Sequence, residues 1–475
     1  MTIDSHMIPE FAIMGHPNEG KSSVVSTLAE DDRVRISPFP GETIVCQTFP
    51  ITVDGREIIR FVDTPGFQNP RQTLAWMKAY DGPEDSLIQA FIKAHRDNPV
   101  FRDECELLAP VARGAGIIYV VDGSRPMRND DRAEMEILRM SARPRMSVIN
   151  CKQGESAFLD QWKNEFRKQF NAVRLFNAHK ATFMERIDLL DSLKSVDQDW
   201  QPALTTVIQA LKLDWERRTR VTAEMIVGLL SQALTHVQVG TLQEGSDPGQ
   251  MTIDLKIRYQ EYVEALEKET FSRIRRLFKH NIFSMDMPRD SIIYEGLFSE
   301  KTWRFLGLTP GEVVLAAGVA GGAAGAIIDT AAAGLTFGIF TAIGGAIGAG
   351  SALLGGKRMA GMKVKGIRLG KDQLRLGPTD NPQLMYVLLD RSLIFYSGVI
   401  NWAHGRRDLA LNAGEPVSRG LKQGVTAGMS FKEKQICSLF FQAITGRNQK
   451  RMEAERSSMT GLVEDLLEGC LINPL

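Results

Sequence analysis

The feature that most constrains this chain is a phosphate-binding-loop pattern near its beginning, GHPNEGKS at residues 15–22. The pattern requires a strand before it and a helix after it, because backbone N–H groups of the loop and of the first helical turn must converge on one anion. An apolar run precedes the motif and a helical pattern follows it. We therefore expect the whole loop to contact a nucleotide, with Lys21 on the β- and γ-phosphates. The predicted contacts are Gly15, His16, Pro17, Asn18, Glu19, Gly20, Lys21, Ser22 and Ser23.

Three side chains with oxygen donors are predicted to hold Mg²⁺: Ser22, Thr43 and Asp63. Asp63 opens the sequence Asp-Thr-Pro-Gly at the end of an apolar strand, where its carboxylate can hold Mg²⁺ through a water and the Gly66 N–H can touch the γ-phosphate. Thr43 lies on the intervening loop, and Thr48 is the alternative, although it falls within a predicted strand. The predicted catalytic set is Lys21, Thr43 and Gly66.

Short apolar runs alternate with helical patterns over the first 180 residues, which predicts an α/β fold with a mixed, mostly parallel sheet. The Asp54-Gly55 pair predicts one antiparallel hairpin. We expect a nucleotide domain over residues 1–195, with a long helical insertion at 68–113, and a mainly helical domain over 196–475, because no strand pattern continues past about residue 185. The predicted strands are Glu10–Met14, Thr43–Val53, Glu57–Val62, Gly116–Asp122, Met146–Asn150 and Ala172–Asn177.

The segments GHPNEGKS, PGET and DTPGF, with this spacing, resemble the Era/TrmE-like branch of the P-loop GTPases over residues 8 to about 180. The resemblance implies GTP binding, GTP hydrolysis, a Mg²⁺ cofactor and, through Asn18, a monovalent cation such as K⁺ beside the phosphates. Phe67 stands where many GTPases keep a water-positioning Gln. Because a phenyl ring cannot orient water by hydrogen bonding, we expect slow hydrolysis that depends on a cation, a dimer partner or another residue supplied in trans.

The base-reading loop departs from the family pattern. The resemblance places Asn-Lys-x-Asp after the fifth strand, but residues 150–153 read Asn-Cys-Lys-Gln, so Gln153 replaces the guanine-reading Asp. Since Gln presents both a donor and an acceptor, we expect weaker selectivity, with GTP still favoured over ATP. Residues 177–179 lie where the family has its Ser-Ala-x loop. The predicted contacts on the base side are Asn150, Lys152, Asn177, Ala178 and His179.

The overall charge and the cysteine pattern exclude several classes of protein. Lys+Arg and Asp+Glu both number 57, so net charge predicts no nucleic-acid partner. Five scattered cysteines without a CxxC pair argue against a zinc site or a disulfide framework. The first residues lack the basic and apolar regions of a secretory signal, which predicts a cytoplasmic location.

Residues 312–356 form a Gly/Ala-rich hydrophobic segment whose only charge from Val313 to Gly356 is Asp329. Repeated GxxxG spacing predicts a glycine-zipper hairpin, and the basic residues that flank it suit a membrane hairpin with both ends in the cytoplasm. The first arm, residues 313–328, would be about 24 Å long, against roughly 30 Å for a hydrocarbon core. A tightly packed soluble hairpin is therefore the alternative to a peripheral or integral location at the inner face of the plasma membrane.

The C-terminal half also resembles an uncharacterised bacterial domain that follows such GTPase domains. The resemblance rests on GP…NPQ at residues 377–383, LLDR at 388–391 and AHGRRD at 403–408. It implies an architecture and little about function. We expect Asp390 and Arg391 to be an ion-pair element, and His404 and Asp408 to be a contact on a helix surface.

These observations together predict a GTP-binding, slowly hydrolysing molecular switch. Its nucleotide state would reach a helical effector domain that acts on a membrane or on a membrane protein. The chain could also form a homodimer. Two alternatives stay open, a nucleotide-binding scaffold with negligible turnover and an ATPase with relaxed base selectivity.

Overall fold

A computed structural model describes most of the chain, and its residues fall into two compact units. The main run of the first unit ends at Glu216, and the second unit begins at Arg217. The predicted domain boundary at 195/196 lies ahead of this division and stays a prediction. The described residues are 8–29, 43–151, 157–178, 181–241, 247–278, 291–309, 312–313, 363–364, 367–370, 373–401, 424–446 and 449–472.

The first unit is built on a six-stranded sheet in the order β2-β3-β1-β4-β5-β6. β2 and β3 pair antiparallel, and the other neighbours pair parallel. Asp54 and Gly55 join β2 to β3 with φ values of 51° and 75°, the left-handed turn that an Asp-Gly hairpin favours. The strands are β1 (Glu10–Met14), β2 (Gln47–Val53), β3 (Arg56–Asp63), β4 (Gly116–Asp122), β5 (Arg145–Asn150) and β6 (Ala172–Phe176).

The observed strands confirm the predicted mixed, mostly parallel sheet and its hairpin. β2 starts four residues later than predicted, because Thr43–Cys46 bonds to Asp63 and Glu106 instead of extending the ladder. β4 is buried along Gly116–Val121, as expected for a central parallel strand covered on both faces. The helices of this unit are α1 (Lys21–Ala29), α2 (Pro70–Lys78), α3 (Leu87–His95), α4 (Arg102–Ala112), α5 (Asn129–Met140), α6 (Leu159–Gln169), α7 (Phe183–Leu193) and the first part of α8 (Gln201–Thr235).

Helices α2, α3 and α4 lie between β3 and β4 in sequence and pack onto one face of the sheet. Their apolar side chains join one core with strand residues such as Met14 and Val121. Phe67, the residue just before this helical segment, is fully buried in the same core. The segment is thus anchored to the nucleotide-binding sheet at its very start.

The second unit is mainly helical, as predicted, but it also contains a four-stranded antiparallel sheet in the order β7-β10-β9-β8. The expectation that strands stop near residue 185 is therefore wrong. The strands have two to four residues and mix glycine and charged residues with apolar ones, which is too short for a period-two signal. They are β7 (Gln238–Thr241), β8 (Lys363–Val364), β9 (Ile367–Gly370) and β10 (Gln373–Leu376). The helices that follow α8 are α9 (Pro248–Leu277), α10 (Glu300–Phe305), α11 (Gln383–Ile400), α12 (Phe431–Thr445) and α13 (Gln449–Ile472).

A buried polar cluster lies between α9 and α11. Arg391 donates to both carboxylate oxygens of Glu267 at 2.6 and 2.9 Å, and also to the carbonyls of residues 292, 293 and 295. Asp390 accepts from the Gly307 N–H and from the N–H and hydroxyl of Thr426, at 2.7–2.8 Å. Arg391 thus forms an ion pair as expected, but its partner is Glu267. Asp390 instead accepts hydrogen bonds that tie two loops to α11.

Most of the Gly/Ala-rich segment at 312–356 lies outside the described residues, as do His404 and Asp408. Among the helices that the structure does describe, none combines the length and the apolar character needed to cross a bilayer.

Candidate nucleotide-binding site

The carboxyl ends of the parallel strands meet at one edge of the six-stranded sheet, and the predicted site residues gather there, where α/β sheets bind ligands. β1 runs into the phosphate loop, β3 ends at Asp63, and β5 ends at Asn150. Ile13 pairs with Asp63 in the register of β1 and β3. Residues far apart in sequence are therefore neighbours at this edge.

The phosphate loop has the backbone that its glycines allow. Gly15, Asn18 and Gly20 have φ values of 145°, 66° and 94°. A Cβ on Gly15 would lie 2.3 Å from the Val120 carbonyl oxygen, so no side chain fits there. The Lys21 ammonium donates to the carbonyls of Gly15 at 3.1 Å and His16 at 3.0 Å, which holds the loop curled over the first turn of α1.

The three predicted Mg²⁺ ligands lie together. The Ser22 hydroxyl donates to Asp63 Oδ2 at 2.6 Å, and the Thr43 hydroxyl donates to the same oxygen at 3.3 Å. Asp63 Oδ1 is buried and has no hydrogen-bond partner among the described residues. Burial raises the pKa of Asp63, against the opposing effects of Ser22, Lys21 and Thr43. A buried carboxylate with one open oxygen beside two hydroxyls fits Mg²⁺, which prefers oxygen ligands.

Gly66 lies against the phosphate loop. A Cβ on Gly66 would come within 2.6 Å of the backbone nitrogen and Cδ of Pro17. The neighbouring Phe67 N–H donates to the Gly15 carbonyl at 3.4 Å. Only glycine permits this approach, which places the backbone after β3 beside the loop that would hold the phosphates.

Phe67 does not face the site as a water-positioning residue would. Its ring is fully buried in the core that α2, α3 and α4 share with the sheet. The side chain at this position therefore anchors the helical segment, and it provides no hydrogen-bonding group.

Asn150 links the phosphate loop to the loop after β6. Its amide nitrogen donates to the Glu19 carbonyl at 3.1 Å, and its amide oxygen accepts from the Ala178 N–H at 3.3 Å. The Asn177 amide donates to the Cys151 carbonyl at 2.6 Å, which joins the two loops predicted to hold the base. Lys152, Gln153 and His179 lie outside the described residues.

Sequence reasoning missed a buried charge network beneath the phosphate loop. The Glu19 carboxylate accepts from the Asp122 N–H and from Arg125 Nε at 2.7 Å. Arg125 also donates to both oxygens of Asp131 at 2.6 and 2.7 Å, and its guanidinium lies over the Trp162 ring. The side chain of Glu19 thus supports the loop from below. An Arg three residues after a buried strand was the only signal that could have pointed to it.

His16 has a second support of this kind. Its Nδ1 is 2.9 Å from Glu134 Oε1 on α5, and the Tyr119 hydroxyl donates to Glu134 Oε2 at 2.8 Å. The hydrogen bond to Glu134 raises the pKa of His16, although burial opposes it. Glu134 lies among apolar residues on the buried face of α5, and an acidic residue in that pattern was the available signal.

Two family models match the chain. The model described as "Domain of unknown function (DUF3482)" covers residues 164–468, more than half of the sequence. The chain belongs to the DUF3482 family. The model described as "50S ribosome-binding GTPase" covers residues 10–151, from β1 to just past β5. Since the DUF3482 match begins within α6, it includes β6 and the Asn177 loop of the nucleotide-binding sheet.

Curated relatives match a limited part of this DUF3482 protein. GTPase Der of Agathobacter rectalis is 33% identical over 125 residues, which are 24% of this chain and 27% of that protein. GTPase Der of Mycoplasma pneumoniae is 23% identical over 163 residues, 34% of this chain and 31% of that protein. The chain thus spans about a third or less of the length of these two relatives. A crystal structure of Era in complex with MgGDPNP and nucleotides 1506–1542 of 16S ribosomal RNA aligns with 15% identity and a TM-score of 0.29, over 58% of this chain and 100% of that chain.

The family models confirm the two predicted resemblances, a GTP-binding P-loop GTPase domain and, after it, an uncharacterised domain, which is the DUF3482 domain. GTPases of this fold generally use Mg²⁺, and the Ser22–Thr43–Asp63 oxygens fit that ion.

Proposed function

We propose that this DUF3482 protein is a Mg²⁺-dependent GTPase switch. Two parts of its site would report the γ-phosphate: the Thr43 segment, residues 43–46, and the Gly66 segment, residues 63–69. The observation that carries the proposal is the convergence of Ser22 and Thr43 on the buried Asp63, whose second carboxylate oxygen meets no partner within the described ranges. That arrangement supports a cation site next to the phosphate loop.

In this proposal Ser22, Thr43 and Asp63 would hold Mg²⁺, and Lys21 would bind the phosphates. Bound Mg²⁺ would neutralise charge that develops on the β- and γ-phosphate oxygens. Ser22 is the second residue of α1 and Asp63 is the last residue of β3, so regular secondary structure fixes both. Thr43 precedes β2 and reaches Asp63 over 3.3 Å, whereas Thr48 is paired with Val62 inside the ladder. This difference favours Thr43 as the ligand that joins only when the triphosphate is bound.

Hydrolysis by the chain alone would be slow, because Phe67 is a core residue and cannot position water. A residue from a partner, a second copy of the chain or a monovalent cation would raise the rate. The K⁺ dependence rests on the resemblance alone, through Asn18. GTP is the proposed nucleotide in spite of Gln153, with Asn150, Lys152, Asn177, Ala178 and His179 on the base side.

The mainly helical part of the chain, proposed as residues 196–475, would receive the nucleotide signal. We propose a membrane or a membrane protein at the inner face of the plasma membrane as its target, on the strength of the Gly/Ala-rich composition of residues 312–356. No nucleic-acid partner is proposed, because the net charge is zero.

One observation favours a second function, a nucleotide-binding scaffold with negligible turnover. Phe67 is buried at the position where many GTPases keep a water-positioning Gln, so this position supplies no group that could orient water. Single-turnover hydrolysis of GTP, measured in K⁺ and in Na⁺, separates the two functions. A GTP-bound protein that releases no phosphate in either salt is the scaffold.

The test of the switch is equilibrium binding of labelled GTP, GDP and ATP with Mg²⁺ to the wild type and to Lys21→Ala. We expect the wild type to prefer guanine nucleotides. Lys21→Ala should lose GTP affinity by at least about 100-fold, because it removes the buried ammonium group that would bind the phosphates. Lys93→Ala, an exposed lysine of α3, is the matched control and should bind as the wild type does.

Wild-type GTP affinity in Lys21→Ala would refute the site. Equal or tighter binding of ATP by the wild type would make the chain an ATPase or a nonselective switch.

A further inference from the structure

Helix α4 contacts both proposed nucleotide-reporting segments through two glutamates. Glu104 Oε1 accepts from the backbone N–H groups of Gln68, at 2.8 Å, and Asn69. Glu106 Oε1 accepts from the Cys46 N–H at 2.9 Å. The Cys46 thiol, whose pKa burial raises to about 12, also donates to the Glu106 carbonyl at 3.3 Å. One helix therefore bonds to the backbone of the Thr43 segment and to that of the Gly66 segment.

Residues two apart on an α-helix point in directions about 200° apart. Glu104 and Glu106 therefore leave α4 on opposite sides, and the first turns of the helix lie between the two segments. Leu107, Leu108 and Val111 fix α4 in the core that also holds Phe67. Close-packed cores have low compressibility and transmit strain. The packed helix is therefore a stiff connection between the Thr43 segment and the Gly66 segment.

Glu104 is fully buried, and in the part of the chain that the structure describes its Oε2 atom has no hydrogen-bond partner. A buried carboxylate in that state keeps one acceptor position open in a region of low dielectric. The open oxygen can accept a backbone N–H of the Gly66 segment after that segment has shifted. Glu104 can therefore hold the segment in two positions without losing its bond to the backbone.

We propose that α4 couples the two segments, so that ordering of one orders the other, and that Glu104 is a positioning residue for Gly66. The coupling within the domain rests on the contacts above. Its use in reporting the γ-phosphate rests on the proposed function. Nucleotide-free protein therefore tests the coupling, and nucleotide-bound protein tests its use.

The experiment is amide hydrogen exchange on the full chain, read in peptides that contain Cys46 and in peptides that contain Gln68 and Asn69. Glu106→Ala removes a carboxylate that touches only the Thr43 segment, and Glu104→Ala removes one that touches only the Gly66 segment. Without nucleotide, we expect each variant to speed exchange at the distant segment as well as at its own, by at least about threefold. Asp103→Ala is the control on the same turn, because Asp103 bonds to neither segment in the described structure, and it should match the wild type.

Faster exchange confined to the segment that the altered glutamate touches would overturn the coupling. If an alanine variant loses its cooperative thermal transition, Glu104→Gln and Glu106→Gln replace the pair. Each keeps one acceptor oxygen and should show the same crossed pattern at smaller size, and its absence there would also overturn the coupling.

Hydrolysis kinetics test the positioning role. We expect Glu104→Ala to lower the single-turnover rate about tenfold while the Kd for GTP stays within about threefold, because Glu104 acts through the backbone of Gln68 and Asn69. Glu104→Gln should recover most of the rate. An equal loss of rate and affinity, or no recovery by Gln, would mean that Glu104 only stabilises the fold. If the wild type binds no GTP, the proposed function fails, and the nucleotide-free exchange still decides the coupling.

Discussion

Two buried aspartates, one in each compact unit, show how differently the chain treats a buried carboxylate. Asp390 has both oxygens occupied by backbone and hydroxyl donors, next to an arginine that is itself paired. Asp63 accepts from two hydroxyls on one oxygen, and no described residue donates to the other. Because an unpaired buried acceptor costs stability, a fold keeps it where something else supplies the missing partner. The open oxygen of Asp63 suits the proposed cation site, whereas the occupied oxygens of Asp390 connect two loops to α11.

The largest effect on stability is expected from breaking the buried ion pair between Arg391 and Glu267. Arg391→Met would leave the Glu267 carboxylate buried without its cation and should cost about 3–5 kcal/mol in the second unit. The double variant Arg391→Met/Glu267→Leu should recover part of that loss, because it removes the stranded charge while three carbonyls still lack their donor. Chemical unfolding followed by amide exchange in α9 and α11 measures both. Neither variant should change GTP affinity. A loss of affinity would contradict the view that the cluster around Asp390 and Arg391 is structural while Asp63 belongs to the nucleotide site.

A smaller and opposite effect is expected at the open carboxylate. Asp63→Asn should lower the Mg²⁺-dependent part of GTP affinity about 100-fold, or ~2.7 kcal/mol. The nucleotide-free protein should become more stable at pH 7. Burial raises the pKa of Asp63, so the ionised form is disfavoured in the fold, and stability falls as pH rises from the carboxyl's ordinary pKa through the raised one.

Titration calorimetry with and without Mg²⁺, together with thermal unfolding, follows both quantities. If Asp63→Asn lowers the stability and leaves the Mg²⁺ dependence of GTP affinity unchanged, Asp63 has a structural role like that of Asp390.

The smallest effect is expected at His16, which pairs with the buried Glu134 much as Arg391 pairs with Glu267 in the second unit. The pKa of His16 is raised by Glu134, so the pair stabilises the fold below the ordinary His range and loses that contribution as pH rises through the raised value. His16→Gln should cost about 1 kcal/mol at pH 6 and less at pH 9. Thermal unfolding of both proteins across that range measures the difference. A gap that widens towards pH 9 would contradict the ion pair.

Sequence reasoning reached the parts of the first unit whose chemistry is local. The phosphate loop, the Asp-Gly hairpin and the end of β3 follow from glycine positions and apolar runs, and Ser22, Thr43 and Asp63 do lie together. The supports beneath the loop were missed, because Arg125 and Glu134 act through partners far away in sequence. The small sheet of the second unit was missed because β7 pairs with β10 across more than a hundred residues, and strands that short carry no periodicity of their own.

In the proposed switch, Phe67 would also determine how long a signal lasts. A GTPase switch with a water-positioning residue after the glycine of its Asp-x-x-Gly motif hydrolyses GTP by itself. The lifetime of its active state is then set by its own hydrolysis rate. Here that position is given to a ring that fastens three helices to the sheet. The proposed triphosphate state would therefore persist until another molecule ends it, and the duration of the signal would belong to that partner.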